Sequence, residues 1–147
     1  MDWTTKIPAK KHKLKVVSVF LLLFLLVGCA KRITFLTSSV VPAARGSVKV
    51  TKDKNNNYNI NLDLFNLSEP ERLQPSKKTY VVWMITDRNV TKNIGQLTSS
   101  SKLLSRQIKA KFTTVSPSKP SKIFLTAEDD GSVQNPGTQV VITTNNF

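Results

Sequence analysis

A chain of 147 residues has the length of one domain, and its formal charge of +13, from 22 Lys plus Arg against 9 Asp plus Glu, draws it to anionic partners without fixing which. Cys29 is the only cysteine and His12 the only histidine. Beyond residue 29 this excludes zinc sites of His/Cys type, Ser-His-Asp and Cys-His nucleophiles and histidine general bases, so no cofactor is expected and an enzyme would need carboxylates, lysine or tyrosine.

The first segment reads as a leader. Lys6, Lys10, Lys11, Lys13 and Lys15 precede VVSVFLLLFLLV at residues 16–27, where Ser18 is the only polar side chain. A basic stretch followed by a short apolar one is the pattern of a secretory signal. As a helix these twelve residues span about 18 Å, well short of the roughly 30 Å hydrocarbon layer, which disfavours a transmembrane span. The run ends in Leu26-Val27-Gly28-Cys29, which resembles the lipobox of bacterial lipoproteins. The resemblance implies that residues 1–28 are a signal peptide, that the bond between Gly28 and Cys29 is cut, and that Cys29 carries diacylglycerol on its thiol, its new amine also being acylated with a chain such as palmitate. Cysteine suits the role because its thiol is a soft nucleophile for thioether formation, and Gly28 leaves room for a peptidase. Each buried CH₂ contributes about 0.8 kcal/mol, so several acyl chains make a firmly anchored protein rather than a spanning one. Ala30 follows the cysteine, and resemblance to Gram-negative lipoproteins then implies the outer membrane as destination, with the periplasm on the way.

Residues 29–45 read as the lipidated cysteine and a tether, rich in Thr and Ser and ending near Pro42-Ala43-Ala44-Arg45. Residues 46–147 read as one domain built of strands. Val48 and Val50 alternate with Lys49 and Thr51, residues 53–57 form a polar turn, and Tyr58, Ile60, Leu62 and Leu64 alternate with polar neighbours, the pattern of a hairpin. Residues 67–78, with Pro70 and Pro75, are a connection long enough to cross between sheets. TYVVWMIT at residues 79–86 is apolar on both faces and suits a central strand. A polar loop at 87–93, a short strand at 94–97, and strands around 108–112, 123–127 and 139–144 follow, separated by Pro, Gly and Ser. About seven short strands predict an all-β fold, an immunoglobulin-like antiparallel β-sandwich, with a β-barrel as the alternative. Trp83 suits the core position that such sandwiches give a tryptophan, and no inter-sheet disulfide is available to assist it.

From Tyr80 to about Thr144 the order of signals resembles the C-terminal extracytoplasmic domain of the anti-sigma-K factor family. The residues that carry it are Tyr80, Trp83, Gly95, Leu97, Phe124, Thr126, Glu128, Gly131-Ser132, Pro136-Gly137 and Val140-Val141, while Asp129 and Asp130 replace the proline and glycine that the family tends to have. These are turn glycines and core aromatics, so the resemblance implies an envelope-facing, non-catalytic sandwich. The family's sigma-binding helical region has no counterpart ahead of residue 80, so sigma-factor binding is not implied.

Two clusters invite sharper readings. Glu128-Asp129-Asp130-Gly131 suggests a Ca²⁺ loop, but residues 132–137 supply no distal carboxylate, and a solvated turn is the simpler expectation; no metal is assigned. Lys102, Arg106, Lys109, Lys111, Lys119 and Lys122 are candidates for one basic face, although alternation with Ile108, Ala110 and Phe112 is what any half-buried strand shows. Export argues against nucleic acid as the partner. The leading expectation is therefore a non-enzymatic envelope lipoprotein, bound to the membrane through Cys29, whose sandwich is an interaction or structural module for a partner that the sequence does not identify, an envelope protein or an anionic glycan. Two alternatives are kept, a basic module for anionic polymers such as envelope glycans, and a carboxylate-dependent hydrolase.

Overall fold

The computed structural model describes Met1 and residues 32–97 and 109–147. They form eight strands: β1 (Arg32–Thr34), β2 (Arg45–Lys52), β3 (Tyr58–Phe65), β4 (Thr79–Thr86), β5 (Thr91–Leu97), β6 (Lys109–Ser116), β7 (Pro120–Glu128) and β8 (Val140–Thr143). One antiparallel sheet has the order β1-β2-β3-β6 and the other β5-β4-β7-β8. This is an immunoglobulin-like β-sandwich, with eight strands rather than about seven.

Alternation builds the space between the sheets. Val48 on β2, Ile60, Leu62 and Leu64 on β3, Tyr80, Val82 and Met84 on β4, and Ile123 and Leu125 on β7 all turn inward and are buried together. Each fully buried aliphatic side chain of this set contributes about 1.5–3 kcal/mol. Tyr80 reaches out of this core to donate its hydroxyl to the Ser68 carbonyl oxygen at 2.7 Å, fixing the connection that carries the chain from one sheet to the other. Burial, helped by the Glu71 carboxylate, pushes the Tyr80 phenol up to about 12. Because the folded value is raised above the ordinary 10, the stabilisation is fully present below pH 10 and is lost as pH rises through 12. A chemical-denaturation series should therefore show stability falling between those limits, and Tyr80→Phe should abolish that fall; an unchanged alkaline profile in the Phe variant would contradict it.

The extra strand lies in the stretch that reads as a tether. β1 pairs with β2, Arg32 opposite Lys49 and Thr34 opposite Ser47. The chain then changes sheets: Phe35 bridges Thr144, the Leu36 N–H donates to the Thr143 carbonyl oxygen, and the Ser38 hydroxyl bonds to the Val141 carbonyl oxygen. Val41 and Ala44 are buried. Three residues are too few to display an alternation, so β1 exists through pairing with an edge that would otherwise be open.

Trp83 is buried but not between the sheets. Tyr80, Val82 and Met84 take the inward positions of β4, which sends Val81, Trp83 and Ile85 to the outer face. There Val81, Trp83 and Phe124 form a second cluster covered by Val133, and the two rings stack with centroids 6.3 Å apart and planes 16° from parallel. The 128–139 loop folds back to make this cover, tied down by Asn93, whose amide donates to the carbonyl oxygens of Gly131 and Val133. The polar loop expected at 87–93 is shorter, since β5 begins at Thr91 and bulges opposite Val82 and Trp83. Gly95 sits there at φ 139°, where an added Cβ would come within 2.8 Å of the Phe112 ring, so glycine is required for both backbone and space.

Candidate functional site

Two hairpin turns, β2–β3 and β4–β5, and the β6–β7 connection between the sheets meet at one end of the sandwich around a cleft of about 600 Å³, lined by Lys52, Tyr58, Arg88, Lys92 and Lys119 among others. Their positions follow from strand period. Tyr58 shares its side of β3 with Ile60 and Leu62, Lys52 is its partner on β2, and Lys92 stands opposite Met84, so all three continue the inter-sheet space beyond the last apolar layer. Arg88 belongs to the β4–β5 turn and Lys119 to the β6–β7 turn. Asn56 and Asn89 hold these tight connections in left-handed geometry, at φ 64° and φ 60°.

The cations of the cleft are held apart but not neutralised. Lys92 Nζ donates to Ser118 Oγ at 3.1 Å, the Lys52 ammonium lies 5.8 Å from the Tyr58 ring centroid, and the Asp87 N–H donates to the Lys119 carbonyl oxygen. Among the described residues the ion pairs are Arg72–Glu69 and Lys77–Asp129, neither of them in the cleft. The one carboxylate in the lining is Asp87. Asp53, in the neighbouring turn, spends its carboxylate on the N–H groups of Asn55 and Asn57.

The basic residues singled out in the sequence do not form one face. Lys109 and Lys111 project from the outer side of the first sheet, opposite Phe65 and Asp63. Lys122 lies opposite Ile85 on the outer side of the other sheet, and Lys119 is at the cleft. Lys102 and Arg106 lie outside the described residues, as do Gly28, Cys29 and the rest of residues 2–31. Sequence reasoning missed Lys52, Arg88 and Lys92, because Lys52 comes from the β2–β3 hairpin and Arg88 and Lys92 from β4–β5, and they share no local motif.

The acidic cluster is divided among three tasks. Glu128 is buried, accepting the Thr126 hydroxyl at 2.6 Å and the Gly137 N–H at 2.7 Å. Asp129 pairs with Lys77 at 2.8 Å. Asp130 accepts the Ser132 N–H and hydroxyl, which hold its carboxyl below the usual carboxylate range, the backbone bond first. Among the described residues no three acids, histidines or cysteines converge as metal ligands. The same geometry gathers several residues of the anti-sigma-K resemblance, since Trp83 Nε1–H donates to Thr126 Oγ1 at 2.7 Å and Thr126 in turn donates to Glu128.

No family model, curated protein or solved structure matches the chain. Among the described residues no helix is long and apolar enough to cross a membrane.

Proposed function

We propose that the chain is an envelope lipoprotein, cut between Gly28 and Cys29 and anchored by lipid on Cys29, whose sandwich is a non-enzymatic interaction or structural module. The observation that carries this reading is the basic segment, twelve-residue apolar run and Leu26-Val27-Gly28-Cys29 in succession. The position of β1 agrees with it. Arg32, three residues after the proposed lipidation site, is already paired in a sheet, so an anchor on Cys29 would lie within about 10 Å of the domain, at up to about 3.5 Å per residue. Four cations around one carboxylate make the cleft a place for an anion, not for a pair of catalytic acids. The proposed destination is the outer membrane, from Ala30 beside the lipidation site. Kinship with the anti-sigma-K extracytoplasmic domain is proposed on Trp83, Thr126, Glu128 and Gly137, which are joined by hydrogen bonds, the first three buried and the glycine half-buried.

The anchor is tested with Cys29→Ser in cells fed a labelled fatty acid. The native chain should carry the label and sediment with membranes, and the variant should lose both. A variant that keeps the label and its membrane location would contradict the proposal. A second reading, a module for anionic envelope polymers, is favoured by the cleft cations rather than by Lys109 and Lys111.

A further inference from the structure

Cations outnumber acids at the cleft end of the sandwich. Lys52, Lys54, Arg88, Lys92 and Lys119 crowd the cleft end against Asp53 and Asp87. At the opposite end Glu69, Glu71, Glu128, Asp129 and Asp130 are accompanied by Arg72, Lys77 and Lys78, and the two ion pairs, Arg72–Glu69 and Lys77–Asp129, are formed there. A single carboxylate of the chain, Asp2, lies outside the described residues, and it falls in the leader.

Strand direction relates the cleft end to the anchor. β2 runs toward the cleft, ending at Lys52, and β1 is antiparallel to it, so the N-terminal end of β1 points toward the cleft. The other edge agrees: Phe35 is level with Thr144, and Phe147, farther along toward the cleft, donates its N–H to the Ser121 carbonyl oxygen. Arg32 pairs with Lys49, only three residues before Lys52. Chain entering β1 from residue 29 thus arrives from the basic end.

We infer that the end cleft is a binding site for the phosphate of anionic lipid headgroups in the membrane that carries the anchor, so that the domain stands end-on with Lys52, Arg88, Lys92 and Lys119 against the lipid surface. This rests on the lipid-anchor reading for its geometry. Lysine and arginine converge on a concave site of headgroup size, with the Tyr58 and Ser118 hydroxyls as further polar lining. Fixing the anchor at the same end holds these cations within the Debye length of about 8 Å at 0.15 M salt, where surface attraction is felt.

The test uses the mature protein purified from membranes and placed in nanodiscs of phosphatidylcholine alone or with phosphatidylglycerol, at 0.15 M salt. Amine acylation is read lysine by lysine by peptide mass. Lys52, Lys92 and Lys119 should react about five-fold more slowly in the anionic discs, the size of surface attraction on one basic residue, while Lys109 and Lys111 change little. Arg88→Gln with Lys119→Gln should remove the protection of Lys52 and Lys92 and leave the melting temperature in place, since exposed charges contribute little to folding. Equal reactivity in both discs would overturn the inference. So would protection of Lys109 and Lys111 instead, or protection by inorganic phosphate in neutral discs with none from phosphatidylglycerol. Intact mass reports lipid on Cys29 separately; if that lipid is missing, the anchor reading fails, and the same labelling on vesicles still decides the cleft.

Discussion

Trp83→Ala should destabilise the domain by about 3–5 kcal/mol, a large share of the 5–15 kcal/mol that holds a typical domain together. The side chain is fully buried although it faces away from the inter-sheet core, so its loss opens a cavity beneath the 128–139 loop. It also removes the stacked partner of Phe124 and leaves Thr126 Oγ1 without the indole donor. Chemical denaturation of the protein after removal of the leader, where Trp83 is the only tryptophan, gives the comparison directly. A native emission maximum typical of solvent-exposed tryptophan, or a loss below about 1 kcal/mol in the Ala variant, would contradict the outer-face cluster.

Glu128→Ala should cost about 2–3 kcal/mol, because a buried carboxylate that accepts two hydrogen bonds leaves both donors unsatisfied when it goes. Gly137 makes this contact possible, since an added Cβ would stand 2.8 Å from Glu128 Oε2. Trp83, Thr126, Glu128 and Gly137 form one chain of contacts, so the two substitutions should not be additive. A double-mutant cycle should show a coupling between about 0.5 and 3 kcal/mol. Strict additivity would mean that the loop and the tryptophan are held independently.

Much of this architecture could be read from side-chain period. Ile60, Leu62 and Leu64 announce one inward face, and the polar or Pro-containing breaks mark nearly every crossing. Burial of Trp83 was legible in TYVVWMIT, whose two apolar faces demand cover on both sides. Its face was not, because the cover comes from residues 128–139, which have the composition of an exposed turn and are folded down by Asn93 from another strand. β1 escaped notice because RIT is too short to show a period and is defined by its partner. The basic site was misread for a related reason. Lys102 to Lys122 are neighbours in sequence, but β6 and β7 belong to different sheets, which places Lys109 and Lys122 on opposite outer faces, while Lys52, Arg88, Lys92 and Lys119 meet only where two hairpins and the β6–β7 connection converge. Glu128 looked like one member of an acidic turn; only the loop closure reveals it as an internal acceptor.

Lipid anchoring is the claim on which the orientation of the basic end depends, and it has a direct physical signature. The intact mass of the protein recovered from membranes of cells that make the full chain should correspond to a polypeptide beginning at Cys29 and carrying a diacylglycerol and a further acyl chain. A polypeptide that retains residues 1–28, or one that begins elsewhere with Cys29 absent or its thiol unmodified, would contradict it.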